Sequence, residues 1–172
     1  MLFALIVRKE GDNMGDKRRF DLFANYIKVH FPNVKSVADI AGGKGYLQVA
    51  LKEQGIKEVI TLDKGKRCKR GINYKHQLLS NNTKLKNVNL LVGMHPDEAT
   101  DVIITQASKR GIPFSIVPCC AKPTDTVFWG SIGNFANWLK HLKGYAERLG
   151  YRVEEHRLRM AGRNIVLTGR KV

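Results

Sequence analysis

Residues 36–54, SVADIAGGKGYLQVALKEQ, constrain the fold more than any other stretch of the chain. The run from Ser36 to Ala41 is apolar except for Ser36 and Asp39, and reads as a short buried strand. Gly42, Gly43 and Gly45 then fill a corner where positive φ and close backbone approach carry no side-chain penalty. From Tyr46 to Gln54 apolar residues recur at helical spacing, and Gly55 follows as a stop signal. A strand that turns through glycines directly into a helix is the opening unit of a parallel sheet.

The remaining sequence continues that alternation. Phe20, Phe23, Ala24, Ile27 and Phe31 lie three and four residues apart and predict an amphipathic helix over 16–31, ended by Pro32. Strands are expected at 58–63, more weakly at 72–79, and at 87–94 and 113–120. Helices are expected at 98–111, with Gly111 at the end, and at 134–150. Two closing strands, 151–160 and 163–172, meet at Ala161 and Gly162. Strands alternating with helices imply a mostly parallel sheet covered on both faces, and the closing pair adds an antiparallel hairpin. The expected fold is an α/β three-layer sandwich of about seven strands, one domain over 1–172, with 1–35 as an N-terminal strand and helix extension. At 172 residues a single core can bury about two thirds of the unfolded surface.

Charge narrows the partners. Thirty Lys and Arg against 15 Asp and Glu give a formal charge of +15, which favours polyanions such as nucleic acid. The alternative is a solvated basic surface with no partner. The one strongly apolar end, MLFALIV at 1–7, is far short of the roughly 20 residues that span a bilayer. It has neither a preceding charged region nor a small-residue cleavage site, so a first strand, or an extension ahead of a start at Met14, is expected there. No membrane association is expected. Cys68, Cys119 and Cys120 cannot all pair, which fits a reducing cytoplasm, and without a CxxC pair they predict no metal site.

Ligands of open α/β sheets bind outside the carboxyl ends of the strands, where the glycine corner lies, and the helix start adds partial positive charge for an anion. A phosphate-binding P-loop needs Ser or Thr after the lysine, but Gly45 follows Lys44. A dinucleotide fingerprint starting at Gly43 finds Gln48 in place of its third glycine. Asp63 ends the second strand 18 residues beyond Gly45, where a carboxylate can accept from two ribose hydroxyls.

The pattern D-x-A-x-G-x-G, formed by Asp39, Ala41, Gly43 and Gly45, resembles the first motif of Rossmann-like S-adenosylmethionine methyltransferases. Ala41 stands where that family has its first glycine, a mild departure if the position is the extended end of a strand. The resemblance implies S-adenosyl-L-methionine as cofactor, bound by Asp39, Ala41, Gly42, Gly43, Gly45 and Asp63, with Gly43 and Gly45 at its methionine part and Asp63 at its ribose. A second segment, LVGMHPDEATD followed by IVPCC, is similar to a methyltransferase subfamily marked by L-H-x-C-D-x-A-T-D and a later P-C-C. His95, Ala99, Thr100, Asp101, Pro118, Cys119 and Cys120 match it, while Asp97 stands where it has cysteine. That subfamily includes tRNA ribose methyltransferases.

The fourth strand would deliver His95 and Asp97 to the methyl acceptor. A histidine can take a proton from a hydroxyl, and Asp97 can receive it or fix the imidazole tautomer. Asp97, Glu98, Thr100 and Asp101 also suit the first turn of a helix as capping residues. Cys119 and Cys120 raise the alternatives of a nucleophilic thiolate, as in cytosine C5 methylation, and of inert lining residues. From Lys64 to His95 there is no acid among eight cations, and Lys64, Lys66, Arg67, Lys69 and Arg70 are the expected phosphate contacts. Phe128 and Trp129 suit either base stacking or packing over the site. The function expected is methyl transfer to RNA, with two alternatives: a catalytically silent RNA-binding protein of the same fold, and a small-molecule methyltransferase.

Overall fold

A computed structural model describes residues 16–66, 68–120 and 133–172. The expectations for 1–15, Arg67, Phe128 and Trp129 lie outside the described residues. The chain begins with helix α1 (Arg19–His30), strand β1 (Ser36–Ile40), helix α2 (Tyr46–Glu53) and strand β2 (Glu58–Asp63). Strand β3 (Tyr74–His76) is three residues long, shorter than the 72–79 of the sequence pattern. Strand β4 (Leu90–Met94) leads through a 3-10 turn (Asp97–Ala99) into helix α3 (Thr100–Arg110). Strand β5 (Phe114–Val117), helix α4 (Phe135–Arg148) and strands β6 (Tyr151–Arg157) and β7 (Ile165–Lys171) complete the chain. Pro118 ends β5 before the cysteines, which therefore lie beyond the strand that sequence patterning extends to Cys120.

The seven strands form one sheet in the order β3-β2-β1-β4-β5-β7-β6. All pairs are parallel from β3 to β5, and β7 enters antiparallel between β5 and β6. Every residue of β1, β4 and β5 is buried, as expected of strands covered on both faces. Phe23 and Ile27 of α1 and Leu47 and Leu51 of α2 fill one side, with Val37 and Val92 of the sheet. Ile103, Ile104 and Ala107 of α3 and Trp138, Leu142 and Ala146 of α4 fill the other, with Leu91, Phe114 and Ile116. Two buried hydroxyl pairs, Tyr26 to Thr168 and Thr168 to Ser115, each at 2.9 Å, link α1 to β7 and β5 inside the apolar surroundings. Strand order reverses between β1 and β4, so the carboxyl ends of these strands open the cleft where α/β sheets bind ligands.

Gly169 of β7 pairs in register with Phe114 of β5. A Cβ on Gly169 would lie 2.2 Å from Cε1 of that ring, so the absent side chain is what admits the phenyl group. Gly169→Ala should therefore cost about 1–3 kcal/mol, the range of overpacked core substitutions, measured by urea unfolding. An unchanged midpoint would show that the ring has other room.

Candidate active site

The corner after β1 is built from three residues of positive φ, Ala41 (54°), Gly43 (55°) and Gly45 (81°). Ala41 is thus not at the extended end of the strand. It occupies the left-handed region that favours glycine, and costs the corner roughly 1–2 kcal/mol where the usual motif residue would cost less. The three glycines differ in what they face. A Cβ on Gly42 would lie 2.0 Å from Asp39 Oδ2, and one on Gly45 would lie 2.8 Å from Ile72 Cγ2, so both glycines are seated against protein. A Cβ on Gly43 would meet nothing within 4 Å. Of the glycines expected to meet a ligand, Gly43 is the one whose missing side chain leaves open space.

Asp63 joins this corner to the end of β2. Its Oδ2 accepts from the Gly43 amide at 2.8 Å and its Oδ1 from the Gly65 amide at 2.6 Å. The following loop is held by β3, where the Tyr74 hydroxyl donates to the Gly65 carbonyl at 2.5 Å and His76 Nε2–H donates to the Lys64 carbonyl at 2.6 Å. A cavity of about 170 Å³ lies in front of Asp63. Ile40 and Ala41 form its back, Leu62 to Lys64 and Gln77 to Leu79 one side, and His95 to Ala99 the other. Leu78 at its lip is 64% exposed, an apolar side chain that the protein itself leaves uncovered. Sequence reading missed Gln77, Leu78 and Leu79, which carry no motif and reach the cavity only because β3 ends early.

Asp39 lies beneath the corner and does not line the cavity. The expected contact with a ligand gives way to a structural role under Gly42. Its carboxyl is fully buried, Oδ2 accepts from the Thr61 hydroxyl at 3.3 Å, and Oδ1 has no partner. Burial away from water disfavours the charged form and pushes its pKa up from 3.8 to about 8. Thr61 in turn accepts from Gln48 Nε2 at 2.9 Å, and Gln48 also exchanges hydrogen bonds with the backbone of Asn73 at 2.9 and 2.8 Å. Gln48 therefore ties α2 to β2 and to the approach of β3. Sequence reading missed this role, which a lone polar residue among the buried positions of α2 could have shown.

Across the cavity, His95 and Asp97 both carry positive φ, 54° and 52°. His95 Nε2–H donates to the Arg163 carbonyl at 2.9 Å, so the connection between β6 and β7 fixes the tautomer expected from Asp97. Burial lowers the pKa of His95, which keeps the ring neutral with Nδ1 as its lone-pair nitrogen. The carboxylate of Asp97 instead accepts from the thiols, 2.7 Å from Cys120 Sγ and 3.7 Å from Cys119 Sγ. Burial and the Asp97 contact raise the Cys120 pKa far above its usual value, so Cys120 is a thiol and a poor nucleophile. The capping expectation also changes. Neither the 3-10 turn nor α3 has a side-chain N-cap, and the Thr100 hydroxyl donates to the Asp97 carbonyl at 2.7 Å.

The basic residues after Asp63 separate into kinds. Lys66 and Arg70 are exposed. Lys64 is exposed but lies 3.5 Å from Glu98 across the cavity mouth, a surface pair worth little. Lys69 is half-buried with its ammonium 4.5 Å from the centre of the Tyr46 ring. Among the described residues no helix is long and apolar enough to cross a membrane.

No protein-family model matches the chain, and no curated protein matches its sequence. Solved structures do match its fold. Precorrin-6y C5,15-methyltransferase from Geobacter metallireducens superposes with a TM-score of 0.64 at 11% identity, covering 95% of this chain and 94% of that one. The ribosomal protein L11 methylase of Lactobacillus delbrueckii gives 0.61 at 17% identity, covering 89% and 78%. The 1,6-didemethyltoxoflavin-N1-methyltransferase of Burkholderia thailandensis, solved with S-adenosylhomocysteine, gives 0.60 at 12% identity, covering 91% and 80%. At these identities the likeness is one of fold: a mostly parallel seven-stranded sheet with an antiparallel end.

The buried carboxyl makes a pH prediction. The folded state holds the Asp39 proton up to about pH 8, whereas the unfolded chain releases it near 3.8. Between those values the folded state binds more protons, so this contribution is complete below about pH 4 and is lost as pH rises towards 8. Asp39→Asn should gain stability relative to the parent over that interval, by up to about 1.4 kcal/mol per pH unit in urea unfolding. A constant difference across the series would mean that Asp39 is ionised in the fold.

Proposed function

We propose that the chain is an S-adenosylmethionine-dependent methyltransferase and that its acceptor is RNA. The observation that carries the cofactor reading is the hydrogen bond from the Gly43 amide to Asp63, whose carboxylate lines the cavity at the switch point of the sheet. The residues present fit the cofactor. Gly43 offers backbone with open space before it, Asp63 offers carboxylate oxygens to ribose hydroxyls, and Leu62, Leu78 and Leu79 offer an apolar wall to a flat base. When bound, S-adenosylmethionine supplies a methyl group made electrophilic by its sulfonium.

The chain's own residues do the rest. His95, held neutral and with Nε2 committed to Arg163, presents Nδ1 as the atom to accept a proton from a hydroxyl or amine. Lys64 lines the cavity, the exposed Lys66 and Arg70 follow it along the chain and suit a phosphate backbone, and the net charge of +15 supports the RNA reading. A small-molecule acceptor is the second reading. It is favoured by the structural likeness to enzymes named for precorrin-6y and a toxoflavin precursor.

Calorimetry with S-adenosylmethionine and S-adenosylhomocysteine tests the cofactor, and no binding of either at millimolar concentration would sink the proposal. Asp63→Ala should weaken binding by roughly the 1.5–3 kcal/mol of a hydrogen bond to a charged group, with the fold checked by circular dichroism. Normal binding by the folded variant would place the site elsewhere. Lys64→Gln, Lys66→Gln and Arg70→Gln together should flatten the salt dependence of single-stranded RNA affinity by about two units, at about 0.7 per phosphate contact. An unchanged slope would reduce these cations to a solvated face, and no RNA binding at low salt would leave the small-molecule reading.

A further inference from the structure

Two parallel strands end side by side at the acceptor side of the cavity, and both deliver soft or charged donors to the same height. Met94 of β4 and Val117 of β5 are register partners, and the His95 amide donates to the Val117 carbonyl at 3.0 Å. Asp97 stands three residues beyond Met94, and Cys120 stands three beyond Val117. The chain is therefore brought to one point from both strands. There the sulfurs of Cys119 and Cys120 are 3.3 Å apart, and both lie against Asp97 Oδ1, at 3.7 and 2.7 Å. Among the described residues this is the group of metal-capable side chains, with all three donor atoms within 4.8 Å of one another.

We propose that Asp97, Cys119 and Cys120 are the ligands of a thiophilic divalent cation of the zinc class. Tetrahedral zinc holds sulfur at about 2.3 Å and carboxylate oxygen at about 2.0–2.2 Å, which places its donors roughly 3.4–3.8 Å from one another. The S···S and longer S···O separations are already close to that, and the shorter S···O contact needs to open by less than about 1 Å. Two thiolates select zinc-class ions over magnesium or calcium, and a cation lowers thiol pKa values so that both sulfurs can ligate. The positive φ of Asp97, in a region that aspartate enters more readily than most residues, turns its carboxylate towards the end of β5.

The sequence carries no metal-ligand spacing, because adjacent cysteines and an aspartate 22 residues upstream meet only through strand register. Asp97 also lines the cavity, so the cation would stand at its edge. Three protein ligands with a further position for water or substrate is the arrangement of a catalytic rather than a structural zinc. The use of such an ion, to lower the pKa of an acceptor hydroxyl, rests on the methyl-transfer reading. Metal binding itself does not.

The test is a titration of the reduced full chain with Co²⁺ and then Zn²⁺ under anaerobic conditions, without cofactor or RNA. One Co²⁺ per chain should bind with sulfur-to-cobalt charge-transfer absorption, and Zn²⁺ should displace it. Cys119→Ser and Cys120→Ser should each lose most of that absorption. Loss of outer-shell groups already weakens metal sites about 10–100-fold, so Zn²⁺ affinity should fall at least that far in these variants and in Asp97→Asn. Cys68→Ser should bind as the parent does. Should a variant fail to fold, alkylation of the parent protein mapped by mass spectrometry decides instead: Zn²⁺ should protect Cys119 and Cys120 but not Cys68. Absence of charge-transfer absorption, its survival in the Cys119/Cys120 double variant, or equal alkylation with and without Zn²⁺ would overturn the assignment. So would a Cys119–Cys120 disulfide that persists in excess reductant.

Discussion

The Asp63 carboxylate holds the candidate site together. It sits at the end of a strand and spends both oxygens on backbone amides, one from the glycine corner and one from its own following turn. The first bond ties β2 to the corner and the second fixes the turn that follows, beside the cavity that Asp63 lines. A carboxylate bonded to two amides is held more firmly than a side-chain pair, because neither partner can rotate away. The Tyr74 and His76 contacts extend the same arrangement to the loop beyond. The corner, the carboxylate and the cavity form one mechanical unit.

Beneath that unit runs a buried polar line through Asp39, Thr61, Gln48 and Asn73. It crosses β1, α2, β2 and the approach to β3, and packing alone does not hold such elements in one register. Asp39 has no opposite charge to pair with and stays neutral instead. The site therefore rests on a group that stabilises the corner while carrying no charge of its own.

The architecture was legible in the sequence because strand and helix periods differ, and because glycine and proline mark most of their ends. The corner and Asp63 were legible because both fall at strand termini, where the positions of polar residues are informative. What failed to show was orientation. Ala41 reads as the tail of a strand, yet its backbone is left-handed. Asp39 reads as a contact residue, yet a strand sends alternate side chains to opposite faces, and its carboxyl lies in the sheet interior under Gly42. His95 and Asp97 read as partners because they are neighbours in sequence. The positive φ at each turns them to different partners, Arg163 and the thiols. Lys69 reads as one of a basic run, whereas only its packing on Tyr46 distinguishes it.

The hydrogen bond from His95 to the Arg163 carbonyl also divides the site by order of assembly. The hydrogen bonds that hold Asp63 and its following loop come from residues 43 to 76 and close through short chain separations. The imidazole instead depends on a carbonyl 68 residues further along, between two strands that complete the far side of the sheet. Long separations of this kind are slow to close, because the entropy of the intervening loop is lost before the contact forms. During synthesis the corner can settle while the chain is still growing, and the candidate base takes its final tautomer and aim only when the last strands are in place. A nascent chain of this fold thus assembles the Asp63 side of its cavity before the His95 side.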